Sequence, residues 1–152
     1  MKRETRYQGA IILDDHILLI KHLEHDTGRT YWLLPGGGRE PEETEEACVQ
    51  REMREETGLN VSVERLILDE DDIPFEVYYK RLKTYLCRVE GGSAKPGYDP
   101  EIESAKQHEI AEVRWLSLRG WALWDDSITD DPIIFPLLQR IRTVLGYVQD
   151  VA

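Results

Sequence analysis

The sequence predicts a mixed α/β chain in which a sheet packs against two helices, an α/β sandwich. Three observations predict it. Short apolar runs bounded by turn residues recur on both sides of a central segment. That segment, residues 44–57, is rich in Glu, Arg, Ala and Met, all good helix formers, and stops at Gly58. Near the C-terminus, Ile133, Ile134, Leu137, Leu138, Ile141 and Leu145 recur at helical spacing.

Taken in order, Tyr7 to Leu13 reads as a strand, Asp14-Asp15 as a turn and His16 to His22 as a second strand, together a hairpin. Residues 23–30 are polar and loop-like, with His22 and His25 read as loop residues rather than a zinc pair. Tyr31 to Leu34 is a short apolar strand running into Pro35-Gly36-Gly37-Gly38, which neither continues a strand nor starts a helix. A helix is expected from Thr44 to Thr57, then a strand from Leu59 to Leu68 and an acidic loop from Asp69 to Pro74. A long strand is expected over Phe75 to Val89, a loop over Gly91 to Ser104 and a strand over Val113 to Leu118. A Trp- and Asp-rich connection spans 119–131. The last helix is expected to begin at Pro132 with Asp131 as its cap, since proline suits a first helical turn.

The 152 residues suit one domain, 1–152, with 41% apolar and 32% charged residues, a globular composition. Nineteen Lys and Arg against thirty Asp and Glu give a formal net charge of −11. That balance argues against a nucleic-acid binder and against an anionic membrane surface, because both are held by cations. A polyanionic substrate would need something other than the overall field to hold it, and a divalent metal is the simplest candidate. No apolar run reaches the roughly 18 residues of a membrane span. The start, Met1-Lys2-Arg3-Glu4-Thr5-Arg6, has no secretory pattern, so a cytoplasmic protein is expected. Cys48 and Cys87 stand apart and read as small buried hydrophobes in a reducing compartment.

Eight glutamates fall between Glu40 and Glu56. On a helix, Glu52, Glu55 and Glu56 share one side, being spaced i, i+3, i+4. Like charges at that spacing repel by about 0.2–0.5 kcal/mol per pair. Arg51 offsets part of this, and hard divalent cations such as Mg²⁺ or Mn²⁺ prefer such oxygen ligands. The glycines ahead of the helix let backbone approach a ligand, and the helix N-terminus favours anions. The residues alone point to metal-assisted phosphate chemistry, with a solvated acidic face as the bland alternative.

Spacing weighs against the bland alternative. Gly37, Glu43, Arg51, Glu52, Met53, Glu55, Glu56, Gly58 and Leu59 fill every specified position of G-x5-E-x7-R-E-U-x-E-E-x-G-U, with U aliphatic. The chain therefore resembles the Nudix hydrolase family, whose box this is. The surrounding strand–loop–helix–strand order extends the resemblance over most of the chain, although Glu42 stands where many relatives carry glycine. The resemblance implies an α/β/α sandwich with a mixed sheet between helices. It implies hydrolysis of the pyrophosphate linkage of a nucleoside diphosphate joined to another moiety, with Mg²⁺ or Mn²⁺. Glu52, Glu55 and Glu56 would ligate the metal, with the Gly36 carbonyl as a further ligand. Arg51 and Glu43 would pair to orient them. The general base would be Glu52 or a distant glutamate, Glu109 ahead of Glu112; His108 reads as a loop histidine. Nucleoside triphosphates and nucleotide sugars such as ADP-ribose are the leading substrate classes, and family members are commonly homodimers. A sensing domain without turnover is the alternative, opposed by the intact box. A diphosphate isomerase is a further rival, opposed by the same box and the short chain.

For the rest of the substrate, Lys80, Arg81 and Lys83 form the densest basic cluster, with Arg81 and Lys83 expected on the face of Tyr79 and Tyr85. Snorkelling charges on an edge strand would give the same pattern. Trp121 and Trp124 mark a second candidate pocket. Asp130-Asp131 ahead of Phe135-Pro136-Leu137-Leu138 resembles the purine-recognition segment of some nucleotide-pool-cleaning Nudix enzymes, which adds Asp130 as a candidate contact.

Overall fold

Alternating apolar residues on either side of Asp14-Asp15 close a hairpin, and the rest of the sheet grows from it. In the computed structural model, which describes residues 2–98 and 108–148, the hairpin joins β1 (Arg3–Leu13) to β2 (His16–Glu24). Asp14 and Asp15 both have positive φ, 49° and 60°, as a two-residue hairpin turn matching strand twist requires. After it come β3 (Thr30–Leu33), β4 (Gly36–Gly37), α1 (Glu45–Thr57), β5 (Leu59–Asp71), β6 (Tyr79–Gly92) and β7 (His108–Ser117). Two helices, α2 (Asp126–Thr129) and α3 (Ile134–Val144), complete the described chain.

The strands form one mixed sheet ordered β3-β2-β1-β6-β5, with β4 on β1 and β7 on β2. Only β1 and β6 run parallel. One face of the sheet packs Tyr7, Ile11, Leu18, Tyr85 and Cys87 against Val49 and Met53 of α1. The other packs Ala10, Ile17, Leu19 and Trp32 against Ile128 of α2 and Leu137, Leu138 and Ile141 of α3. The α/β/α sandwich expected from the sequence is the architecture found.

The hairpin pairs only at its closed end, Ile12 with Ile17 and Leu13 with His16. Beyond that β1 and β2 part, and β4 takes the freed edge of β1 while β3 takes that of β2. This split brings the glycine run into the sheet beside α1.

Several boundaries depart from expectation, most of them through pairing distant in sequence. β1 begins at Arg3 rather than Tyr7, because Arg3 to Leu82-partnered Arg6 lie alongside the start of β6. Gly36–Gly37 is a short strand, not a break. The acidic run from Asp69 to Asp71 belongs to β5, where Asp69 faces Lys83 and Asp71 faces Arg81 across the ladder. Phe75 to Tyr78 precede β6 rather than open it, and Phe75 has φ 68°, incompatible with a strand. Gly91 and Gly92 end β6 instead of starting a loop, and residues 99–104 of that expected loop lie outside the described residues. β7 starts at His108, five residues before the expected Val113, so Glu109 stands in a strand. α3 starts at Ile134, not Pro132, and its cap residue is Ile133 rather than Asp131, although Asp131 Oδ1 accepts from the N–H groups of Ile133 and Ile134, both at 2.8 Å.

Candidate active site

Helix α1 is delimited by its own sequence. Thr44 Oγ1 accepts from the N–H of Ala47 at 3.1 Å, and Gly58 takes the left-handed conformation that ends it, φ 77°. Helical spacing then brings Glu52 and Glu56, both buried, toward the sheet, with Glu55 partly exposed beside them.

β4 meets this face without side chains between. The Gly36 N–H donates to Glu56 Oε1 at 2.7 Å. A Cβ on Gly37 would lie 2.5 Å from Glu52 Oε1, so only glycine lets the backbone pass so close to that carboxylate. Arg51 ties the remainder together. Its Nε and Nη2 fork onto Glu43 at 2.7 and 3.0 Å, and Nη2 also donates to the Gly38 carbonyl at 3.2 Å. Its Nη1 reaches Glu52 at 3.1 Å and Glu55 at 3.3 Å. One guanidinium thus neutralises part of three carboxylates, and bidentate pairing with Glu43 is its strongest bond.

The charges respond accordingly. The Arg51 hydrogen bond holds Glu43 below the usual carboxylate range, and Glu43 in turn raises Arg51. Burial pushes Glu52 up to about 7, against the pull of Arg51 and Arg6. Around Glu52, the carboxylates of Glu55 and Glu56 and the backbone carbonyls of the glycine run are hard oxygen donors, with Arg51 as the resident cation. The donor set therefore fits a divalent cation. Among the described residues no three His, Cys, Asp or Glu side chains already stand as an ion cage; Arg51 Nη1 lies against Glu52 and Glu55 instead.

The other expected residues are spread apart. Glu109 is exposed on β7, opposite Leu23, and lies 3.1 Å from His25 Nε2. Arg81 of β6 forks onto Asp69 of the neighbouring edge strand β5 at 2.6 and 2.8 Å. Lys83 donates to both oxygens of Glu45 at 3.1 and 3.2 Å, and the Tyr85 hydroxyl donates to Glu45 as well. Glu45 is in the first turn of α1, about 10 Å along the axis from Glu52 at 1.5 Å per residue. Asp130 is exposed at the end of α2, on the opposite face of the sheet from α1. Cys48 and Cys87 are both free and buried, their thiols pushed up to about 12 by burial, so they are inert packing groups.

The sequence assigned no role to Arg6 or His22. Arg6 donates from Nη2 to the Leu34 carbonyl at 2.9 Å, just ahead of β4, and its charge acts on Glu52. His22, expected where the second strand gives way to a loop, lies inside β2 and is buried. Arg6 sat outside the apolar run that marked β1. His22 sat at the edge of a polar stretch, so alternation gave no signal for either.

A family profile described as NUDIX domain matches residues 4–135. The chain is 31% identical over 109 residues to an NAD-capped RNA hydrolase, NudC, of Vibrio atlanticus (strain LGP32), covering 72% of this chain and 35% of that one, so it spans about a third of that relative. It is 31% identical over 117 residues to an RNA pyrophosphohydrolase of Roseobacter denitrificans (strain ATCC 33942 / OCh 114), covering 71% of this chain and 73% of that protein. A solved ADP-ribose pyrophosphatase from Streptococcus suis 89-1591 superposes with a TM-score of 0.57 at 27% identity, covering 76% of this chain and 74% of that one.

Proposed function

The chain belongs to the Nudix hydrolase family, and from that premise we propose that it is a divalent-metal-dependent pyrophosphohydrolase acting on a nucleoside diphosphate linked to another moiety. The observation that carries the proposal is the Arg51 fork: it holds Glu43 while touching Glu52 and Glu55 on the helix face that β4 approaches through glycine.

Glu52, Glu55 and Glu56, with the Gly36 carbonyl, would hold Mg²⁺ or Mn²⁺. Such an ion neutralises phosphate charge and lowers the pKa of water. Glu43 positions Arg51, and Arg51 positions the carboxylates. The Gly36 N–H fixes Glu56. The proton of the attacking water goes to Glu52, or to Glu109 in the alternative; burial beside β4 favours Glu52, whereas Glu109 is exposed and engaged by His25. Arg81, Lys83 and Asp130 remain candidate contacts for the rest of the substrate. A substrate phosphate would have to displace Asp69 from Arg81 and Glu45 from Lys83.

Nucleotide sugars such as ADP-ribose and nucleoside triphosphates are the proposed substrates. Two relatives are named for RNA substrates, which removes the force of excluding nucleic acid by net charge alone; an RNA 5′ end carries the same kind of anhydride. The test is a panel of ADP-ribose, other nucleotide sugars, nucleoside triphosphates and a short 5′-triphosphate RNA with Mg²⁺ or Mn²⁺. AMP plus a sugar phosphate identifies a nucleotide sugar; a monophosphate plus pyrophosphate identifies a triphosphate. Glu55→Gln is expected to lower kcat at least 100-fold with the fold intact. No product from any substrate, or an active Glu55→Gln, overturns the proposal, and ligand-induced stabilisation without turnover would indicate a sensor.

A further inference from the structure

His22 is the one described side chain whose buried polar atoms have no hydrogen-bond partner: neither Nδ1 nor Nε2 has one. It stands in β2 between Tyr31 of β3 and Ile110 of β7, and the β7 ladder shifts register between Lys21 and His22. Such irregularities re-aim side chains and are common beside active sites. An unpaired buried imidazole is costly to keep, so each such group calls for an explanation. Packing does not supply one, because an apolar ring would fill the place without that cost.

The surroundings suggest what does. The rings of Tyr31 and His108 lie 5.6 and 6.1 Å away by their centroids, and both residues are partly exposed, so the cluster reaches the surface through them. Arg6, whose Nη2 donates to the Leu34 carbonyl just ahead of β4, acts electrostatically on both His22 and Glu52. Burial together with Arg6 and His108 holds the ring neutral at ordinary pH, its pKa lowered to about 4. The nearby carboxylates are turned to other partners: Glu24 faces His108 at 3.9 Å and Glu109 faces His25. A neutral imidazole offers one N–H donor and one acceptor nitrogen. Donor, acceptor and flanking aromatic faces are what recognise a nucleobase, by hydrogen bonds to its edge and stacking on its plane.

We propose that His22 is a specificity-determining residue that hydrogen-bonds the nucleobase of the substrate, with Tyr31 and His108 bracketing the base and Arg6 meeting the phosphates that lead to Glu52. The proposal rests on the hydrolase reading above and names the part of the substrate that His22 reads. Sites built to hydrogen-bond a ligand discriminate strongly against one lacking the matching group, because the protein's buried polar atoms are then left unpaired.

The test measures binding of AMP, GMP, CMP, UMP and ribose 5-phosphate to the full chain without added metal, by calorimetry and by ¹⁵N NMR of the histidine rings. At least one nucleoside monophosphate is expected to bind 10-fold or more tightly than ribose 5-phosphate, which has the sugar and phosphate but no base. His22→Phe is expected to erase that difference and His22→Gln, whose amide also donates and accepts, to restore part of it. His22→Phe should melt no lower than the parent, since no internal hydrogen bond is lost. In the parent protein the His22 ring nitrogens should shift with nucleotide and not with ribose 5-phosphate, a readout that stands even if a variant misfolds. No preference for the base, a preference that survives His22→Phe, or ring nitrogens unmoved at saturation each overturns the proposal. Turnover is read separately by the substrate panel. Lost base preference with hydrolysis present sinks the role of His22 alone, and base preference without hydrolysis sinks the hydrolase reading alone.

Discussion

Burial acts on Glu52 and His22 in the same way, favouring the uncharged form of each: Glu52 is pushed up to about 7 and His22 down to about 4. For His22 the consequence for stability has a definite sign. The unfolded chain binds a proton there near pH 6.5, and the folded chain does so only near 4. Stability present above pH 6.5 is therefore lost progressively as pH falls toward 4, by up to about 3 kcal/mol, and changes no further below that. Urea unfolding at pH 7, 6, 5 and 4 should show the stability of His22→Phe gaining on the parent as pH drops. Parallel curves would mean that the imidazole titrates freely. The Glu43–Arg51 pair works in the other direction: mutual bonding keeps both charged, so the acidic face retains a fixed internal cation at any pH where the fold survives.

Among the elements, β4 and α1 are the two whose contact makes the site, and they differ in how legible they were. The limits of α1 are written locally, Thr44 and Gly58 acting on backbone within a few residues, and the structure departs from the expected start only by making Thr44 the cap. β4 depends on Tyr7 and Gln8, far away in sequence, so a Pro-Gly run looked like a break. The same reason hid the acidic end of β5, held by Arg81 and Lys83 across the ladder, and the early start of β7 opposite His22 to Glu24. The carboxylates of the box were legible because helical period alone puts them on one side; His22 and Arg6 were not, because their neighbourhood is assembled by β1, β2, β3 and β7 together. The two glycines of β4 should respond differently to alanine. At Gly36 a Cβ would sit 2.4 Å from the Tyr7 carbonyl oxygen, which only a shift of β1 can relieve. Gly36→Ala should cost about 2 kcal/mol of stability as overpacking does, along with turnover. At Gly37 the Cβ would meet the movable end of Glu52. Gly37→Ala should leave the melting temperature nearly unchanged while kcat/KM falls. Equal loss of stability in both variants would show that β4 is not anchored as described.

For the molecule as a whole, helices on both faces leave the split between β1 and β2 as the place where loop backbone enters the sheet, and both cores close around it. The net charge of −11 sets the long-range field against an anionic substrate, whatever the local cations do. Raising ionic strength from 0.01 to 0.15 M shortens the screening length from about 30 to about 8 Å. With saturating Mg²⁺, kcat/KM for a small nucleotide should therefore rise over that range, whereas a chain that tracks RNA along a basic groove would lose activity steeply. A falling kcat/KM would place a strong cationic surface at the mouth of the site. The hold of Arg51 on Glu43, Glu52 and Glu55 has a consequence for the life of the protein before it ever works. Because a resident side chain quiets the mutual repulsion of the carboxylates, maturation of the polypeptide need not wait for metal supply. On the proposed reading, the scaffold would stand finished under chelation and would gain activity only once an ion is added.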